Sequence, residues 1–144
     1  MKFTLKLDKS REEEVLIYAH EKSALTDKIE KLVLNEKSHV ILGYKDDVAT
    51  RIDESDVYCF FIEGGKLYAL LDGGKFHVKM RLYELEALLS DDFVKINQST
   101  VANITKVSSF GVSPGASLTV FFKNGHKDYV SRRQVKAVKK KLGF

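Results

Sequence analysis

Several residue types are scarce in this sequence of 144 residues, which has one cysteine, one proline and no tryptophan. A lone Cys59 cannot form an intrachain disulfide, so the sequence favours a protein of a reducing compartment, the cytoplasm. No apolar run approaches the roughly 20 residues of a membrane-spanning helix. The opening MKFTLKLDKSREEE lacks the apolar core of a signal peptide. We therefore expect no insertion into a membrane.

Acidic residues are almost missing from the C-terminal part of the chain. Residues 1–92 hold 14 Lys and Arg against 19 Asp and Glu, a net charge of −5. Residues 93–144 hold 10 Lys and Arg against Asp128 alone, a net charge of +9. Such an asymmetry predicts a polyanionic partner for the C-terminal part. The alternative is a basic face that serves only solubility.

Patterns typical of catalysis or metal binding are also lacking. The four histidines lie at least 19 residues apart, which fits no common zinc-ligand spacing. Cys59 stands among apolar neighbours in VYCFFIE, which predicts a buried structural cysteine rather than a nucleophile. The glycine pairs of EGGKLY and DGGKFH lead into predicted strands, whereas a phosphate-binding loop leads into a helix. They therefore predict hairpin turns, and the turn in DGGK is predicted to be of type I′. We predict no enzyme activity, no metal, no cofactor and no small-molecule substrate.

Residues 1–39 are predicted to form a strand–helix extension. FTLKL at 3–7 and EVLIYAH at 14–20 have the residue types of strands. Leu25, Ile29 and Leu32 recur at helical spacing, which predicts a helix over 23–35 with Ser23 as its N-cap. These apolar residues are expected to pack on the chain's own main domain, or alternatively on a second protomer.

Residues 40–144 are predicted to form a mainly β domain that closes on a helix. Strands are predicted over 39–44, 48–52, 57–63, 66–71, 75–80, 93–103, 104–112, 117–122 and 127–130, with a surface loop at 113–116. A short helix is predicted over 81–89, with Leu82, Leu85 and Leu89 facing inward. Asn124-Gly125 predicts a hairpin. In SRRQVKAVKKKLGF, the spacing of Ser131 and Gln134 predicts a capping box, and Gly143 is suited to the position after the helix.

The stretch VKINQSTVAN, residues 94–103, combines strand-like alternation with a polar cluster. Lys95 and the Ser99 hydroxyl are suited to phosphate oxygens, and the Gln98 amide has the donor and acceptor that read adenine in the major groove. The Arg133 guanidinium is suited to guanine, and the start of the last helix offers free N–H groups to phosphate. The alternative is that Gln98, Ser99 and Thr100 only satisfy the backbone of a turn.

Two stretches, DDFVKINQSTVANITKVSSF and TVFFKNGHKDYVSRRQVKAVKKKLGF, resemble the LytTR family of bacterial DNA-binding domains. The features that carry the resemblance are Phe93, Lys95, Gln98, Ser99, Asn103, Lys123-Asn124-Gly125 and Ser131-Arg132-Arg133. DVYCFFIEGGKLYALL and RLYELEALL match the family's leading strands and connecting helix, so the resemblance covers residues 40–144. It implies an elongated sandwich of mostly antiparallel β-sheets, whose loops at one edge enter successive major grooves. The short segment before residue 40 resembles the stand-alone members that lack a receiver domain.

The resemblance also implies which residues contact DNA. Base contacts are implied for Gln98, Arg133 and Lys66, although the turn that carries Lys66 is short and lacks the polar reader of some members. Contacts with the DNA backbone are implied for Gly65, Lys95, Asn97, Ser99, Ser131, Arg132, Gln134 and Lys136.

These features together predict a sequence-specific transcriptional regulator that binds tandem sites on double-stranded DNA, as a homodimer at least on DNA. The alternative is a protein-interaction module whose basic face meets an acidic partner and which has lost DNA binding. Convergence of Gln98 and the basic residues on one edge would distinguish the two. RNA binding ranks lower, because Phe121, Phe122 and Tyr129 are expected to be half-buried in strands rather than free to stack on bases.

Overall fold

The computed structural model describes residues 2–34, 40–113 and 117–143, and the chain divides into two compact units, Met1–Ser38 and His39–Phe144. The first unit contains α1 (Ala24–Leu34). The predicted N-cap is confirmed, because the Ser23 hydroxyl accepts from the Thr26 N–H at 3.3 Å while the Thr26 hydroxyl accepts from the Ser23 N–H at 2.8 Å. Residue 35 lies outside the described residues.

The two strands predicted at 3–7 and 14–20 are wrong, because residues 2–23 contain no strand. Both segments have strand-forming residue types, but a strand forms only where a neighbour accepts and donates its ladder hydrogen bonds. Leu7 and Tyr18 are about nine-tenths exposed. None of the residues of α1 is buried, and the packing of Leu25, Ile29 and Leu32 stays a prediction.

The second unit is built mainly from short strands. Its elements are β1 (Ile41–Lys45), β2 (Val48–Ile52), β3 (Cys59–Glu63), β4 (Lys66–Leu71), β5 (Gly74–Val78), α2 (Leu82–Leu88), β6 (Phe93–Asn97), β7 (Thr100–Asn103), β8 (Val107–Ser113), β9 (Ser117–Phe122), β10 (Lys127–Val130) and α3 (Val135–Leu142). Short 3-10 turns at Glu54–Asp56 and Ile104–Lys106 precede β3 and β8. The predicted loop at 113–116 falls largely outside the described residues.

These strands form two antiparallel sheets. The large sheet has seven strands in the order β2-β1-β5-β4-β3-β7-β6, and the small sheet has three in the order β10-β9-β8. Every strand pair is antiparallel. The predicted fold class, mainly β with mostly antiparallel sheets, is confirmed.

The large sheet has a hydrophobic core on each face, because successive side chains of a strand point to opposite sides. On one face, Phe60 and Val101 pack with α2. Of its predicted inward residues, Leu82 and Leu85 are buried, and Leu89, just after α2, is partly buried against the same core. On the other face, the neighbouring Cys59 and Ala102 belong to the core formed with the small sheet and α3. The second core therefore holds the two sheets and the last helix together.

Several predicted turns and boundaries differ from the structure. The stretch 93–103, predicted as one strand, is the hairpin β6–β7 with Gln98 and Ser99 in its turn. The type I′ turn predicted at DGGK is wrong, because Gly74 has φ +105° but Gly73 lacks a positive φ. At the other glycine pair both residues have the positive φ of a type I′ turn, +58° for Gly64 and +77° for Gly65.

The last helix begins later than predicted. Gln134 is its N-cap and makes no side-chain capping bond, and the Gln134 N–H donates at 2.9 Å to the Ser131 carbonyl oxygen. The capping box is therefore wrong, because a backbone turn takes its place. At the other end Gly143 has φ +83°, which confirms its predicted position.

Cys59 is fully buried, as predicted. Burial, reinforced by the nearby Asp128 carboxylate, raises the pKa of its thiol to about 12. The thiol of an unfolded chain has a pKa of about 8.5, so the folded protein favours the neutral thiol. Its contribution to the stability of the folded state is fully present below pH ~8.5 and is lost as the pH rises towards the pKa of the folded state.

We therefore expect the native thiol to resist alkylation by iodoacetamide at pH 8, and to react at the rate of a free thiol only after denaturation. The measurement is mass-spectrometric labelling of native protein, with the denatured protein as control. Equal rates in the two states would contradict the buried position.

Candidate nucleic-acid interface

The turn at Gln98-Ser99 is formed by the side chain of the residue before it. Asn97 ends β6, and its Oδ1 accepts from the Ser99 N–H at 3.0 Å and from the Ser99 hydroxyl at 3.1 Å. Asparagine forms such turns readily, because its carbonyl oxygen imitates a backbone acceptor. The polar cluster of NQST thus ends one strand and starts the next, while the Gln98 side chain is exposed.

This turn lies beside the turn at Gly64-Gly65. Thr100, the first residue of β7, is the register partner of Phe61 in β3. One residue further, the Ile62 N–H donates to the Ser99 carbonyl oxygen at 2.9 Å. Because β3 continues only to Glu63 before the glycine pair, both turns lie at the same end of the large sheet.

The segment between β10 and α3 reaches the same end. The Ser131 N–H donates at 2.8 Å to the Ile96 carbonyl oxygen, two residues before Gln98. The Asn97 Nδ2 donates at 3.0 Å to the Tyr129 carbonyl oxygen. Residues 131–134, which include Arg133, are therefore held next to the Gln98 turn. We call the three segments 64–66, 98–99 and 131–134 the contact edge.

The contact edge presents cations that have no acidic partner. Lys66, Arg132 and Arg133 are exposed, as is Lys136 on the first turn of α3, and none of these four forms an ion pair within residues 2–34, 40–113 and 117–143. Gly65, predicted to approach the DNA backbone, is exposed as well. The contact edge therefore carries the positive charge that binding of phosphate requires.

Two residues that were predicted to contact the DNA backbone, Asn97 and Lys95, already have partners within the protein. The side chain of Asn97 is 1% exposed, and its amide makes two donor and two acceptor bonds, so no group is left for phosphate and the expected contact does not fit the structure. Lys95 is half-buried, and its ammonium lies 3.7 Å from the Glu86 carboxylate of α2. Ser99, Ser131 and Gln134 are half-buried at the contact edge.

The sequence did not predict the role of Asp128, a residue of β10 whose carboxylate bonds to the residues on both sides of the Gln98-Ser99 turn. Its carboxylate accepts from the Thr100 hydroxyl at 2.7 Å and from the Asn97 Nδ2 at 3.3 Å. A signal for it was present, since Asp128 is the only acid in residues 93–144. Its partners lie 28 and 31 residues earlier, so spacing alone does not identify them.

The aromatic residues near the basic region are only partly as predicted. Phe122 is 2% exposed and Tyr129 is 57% exposed, so the half-buried state predicted for these two is wrong, in opposite directions. Phe121 is 36% exposed, which is close to the predicted state, and it points away from the core that Phe122 fills.

The part of the chain that the structure describes contains no cluster of three or more His, Cys, Asp or Glu residues that could hold a metal ion. Nor does it contain a helix long and apolar enough to cross a membrane.

Comparison with known proteins agrees with this architecture. An uncharacterized HTH-type transcriptional regulator of Staphylococcus aureus strain NCTC 8325 / PS 47 is 33% identical over 109 residues, which are 76% of this chain and 74% of that protein. The corresponding protein of strain COL shows the same identity and coverage. A solved LytTr DNA-binding domain from Bacillus cereus superposes with a TM-score of 0.69 at 21% identity, and covers 74% of this chain and 100% of its own.

The family described as the LytTr DNA-binding domain matches residues 47–143, which is more than half of the sequence. This range holds both sheets apart from β1 and also both helices of the second unit, so it includes the whole contact edge. The chain therefore belongs to the LytTr DNA-binding domain family.

Proposed function

We propose that this protein is a sequence-specific transcriptional regulator that inserts the turns of its contact edge into successive major grooves of DNA. The observation that supports this most is the convergence of three exposed turns, one with Lys66, one with Gln98 and one with Arg133, at one end of the large sheet. Membership of a DNA-binding family and the transcriptional regulators among its relatives agree with it. Such a protein acts where the chromosome is, so we place it in the cytoplasm.

The residues of the contact edge, with Lys136 beside it, divide into two roles. Gln98 and Arg133 read base edges, because an amide and a guanidinium each offer two parallel hydrogen bonds in the major groove. Lys66 adds a third contact from the glycine turn.

Gly65, Ser99, Ser131, Arg132, Gln134 and Lys136 position the domain on the phosphates. Lys95 joins them by exchanging its partner Glu86 for phosphate. This exchange costs little, since the ion pair is partly exposed to water.

One module of this size buries little DNA surface. A single small domain typically binds weakly, and tight regulators combine two or more modules. We therefore propose that two protomers bind tandem half-sites, separated by about one helical turn of roughly 10 base pairs.

A protein-interaction module with a basic face is the rival function. Such a module needs positive charge, but attraction of an acidic surface does not require an exposed glutamine amide among the cations. The hydrogen bonds that bring the Gln98 turn to the segment of Arg133 favour base reading over simple attraction of an acidic surface.

The test is selection of bound duplexes from a random DNA pool by the purified protein at about 150 mM salt, where binding through phosphates alone is weak. We expect enrichment of two similar short motifs about one helical turn apart. The control is the same selection at low salt, which should retain DNA without a motif. Absence of a motif at the higher salt would refute sequence-specific binding and favour the interaction module.

A further inference from the structure

Asp128 stands out as an acid in the most basic part of the molecule. It lies in β10, between the exposed Lys127 and Tyr129, and three residues later Ser131 begins the segment that carries Arg133. Negative charge at this place repels phosphate, so it lowers the affinity for any DNA that the contact edge binds. An acid that weakens binding of DNA in general needs another role.

The hydrogen bonds of Asp128 give that role. Its Oδ2 accepts from the Thr100 hydroxyl at 2.7 Å, and its Oδ1 accepts from the Asn97 Nδ2 at 3.3 Å and from the Tyr129 N–H at 2.8 Å. Thr100 and Asn97 are 2% and 1% exposed and stand directly on either side of Gln98-Ser99. One carboxylate therefore holds both ends of the turn.

The same bonds join the two sheets. Asn97 and Thr100 belong to the large sheet, whereas Asp128 belongs to the small sheet. Beside them, the Asn97 Nδ2 donates to the Tyr129 carbonyl oxygen and the Ser131 N–H donates to the Ile96 carbonyl oxygen. The position of Gln98 relative to Arg133 is thus set by a polar junction that has Asp128 at its centre.

We propose that Asp128 is a positioning residue that ties the Gln98 turn to the segment carrying Arg133 and so sets the discrimination between DNA sequences without contacting DNA. This inference rests on the proposed function, in which Gln98 and Arg133 read bases on one duplex. Gln98 lies in a turn of the large sheet, and Arg133 lies in the segment that follows β10 of the small sheet. Two such readers act together only when their separation is constant to a fraction of a base-pair step, because hydrogen bonds weaken steeply with distance and angle.

The test compares Asp128→Ala with Asp128→Asn, by measuring the dissociation constants for the selected operator and for a scrambled duplex of equal length. Asp128→Ala removes the acceptors, so we expect the operator affinity to fall about tenfold, the size of one lost base contact. The affinity for scrambled DNA should stay equal or rise, since a negative charge is gone. A variant that is merely destabilised would lose affinity for both duplexes.

Asp128→Asn separates the hydrogen bonds from the charge. Its Oδ1 still accepts, and the Thr100 hydroxyl turns to accept from the new Nδ2, so we expect the ratio of the two affinities to stay within about twofold of the wild type. Asp91→Ala is the control for losing a carboxylate away from the contact edge, because Asp91 is exposed, lies two residues before β6 at the end opposite the Gln98 turn, and makes no hydrogen bond or ion pair within the described residues. It should leave the ratio unchanged.

A double-mutant cycle tests whether Asp128 acts through the turn. In a Gln98→Ala background, Asp128→Ala should reduce discrimination little further, because the reader that it positions is already gone. Thr100→Val, which removes one bond at nearly constant volume, should give a smaller loss in the same direction and replaces Asp128→Ala if that variant does not fold. Full additivity, or an unchanged ratio in Asp128→Ala, would overturn the proposal while leaving the regulator function intact. A wild type without discrimination would overturn both.

Discussion

Replacing Arg133 by alanine is expected to weaken binding to the selected operator by about 1–3 kcal/mol, or roughly 5- to 150-fold in the dissociation constant, and to relax the preference at one base pair. The guanidinium is exposed, has no acidic partner within the described residues, and stands next to the Gln98 turn. In the proposed function, Arg133 makes a bidentate contact that only the correct base completes, and the variant lacks it. The measurement is a set of dissociation constants for the operator and for its single-base variants.

Lys136→Ala is the matched control for this prediction. Lys136 is also an exposed cation, one helical turn further along, but it is assigned to phosphate. Its loss should weaken operator and scrambled DNA about equally, and should reduce the salt dependence of log K by about one unit. If Arg133→Ala behaves in the same way, Arg133 is a phosphate contact and reads no base.

Replacing Phe122 by alanine is expected to lower the free energy of unfolding by about 3–5 kcal/mol, because a buried ring is lost and a cavity stays behind. Phe122 is 2% exposed and lies in the core that holds the large sheet, the small sheet and α3 together. A small domain is stable by only about 5–15 kcal/mol, so this loss is a large share of the total stability and should clearly lower the urea midpoint. Urea denaturation followed by far-ultraviolet circular dichroism measures this, and suits a chain without tryptophan.

Phe121→Ala provides the matched comparison, since it makes the same chemical change one residue earlier. The Phe121 side chain is 36% exposed and lies outside both cores, so we expect a loss of less than about 1 kcal/mol. Equal losses in the two variants would show that the core between the sheets does not depend on Phe122. DNA binding of Phe121→Ala should stay close to that of the wild type.

The Arg133 and Phe122 predictions concern different parts of one structure, the contact edge and the core that supports it. The core around Phe122 holds the small sheet against the large one, and the contact edge is assembled from turns of both sheets. A loss of the core therefore removes operator and scrambled binding together, whereas a loss of Arg133 separates them. The difference between the two patterns is what identifies a residue that reads sequence.

Much of the second unit could be predicted from local patterns. The apolar, strand-forming run VYCFFIE predicted β3 with a buried Cys59, and the leucine spacing of RLYELEALL predicted α2 with its inward face. Asn124-Gly125 predicted the hairpin before β10. These predictions succeeded because side-chain periodicity and turn chemistry act over a few residues.

Other features were decided by contacts between distant parts of the chain. The segments 3–7 and 14–20 have strand-like composition, yet they form no strand, because a strand needs a partner and composition does not supply one. The capping box at Ser131 gave way to a backbone turn in which the Ser131 N–H is bound to Ile96. In both cases the local sequence pattern was present, but contacts with residues distant in the sequence decided which structure formed.

The candidate site shows the same division. Side-chain chemistry alone identified the candidates for DNA binding, namely the basic C-terminal part, the Gln98 amide and the Arg133 guanidinium. The burial of Asn97, which makes it unavailable to phosphate, and the link that Asp128 forms between the turn of one sheet and a strand of the other followed only from the packed fold. Hydrogen-bond partners some 30 residues apart in sequence meet only after the two sheets have packed, so no local pattern predicts them.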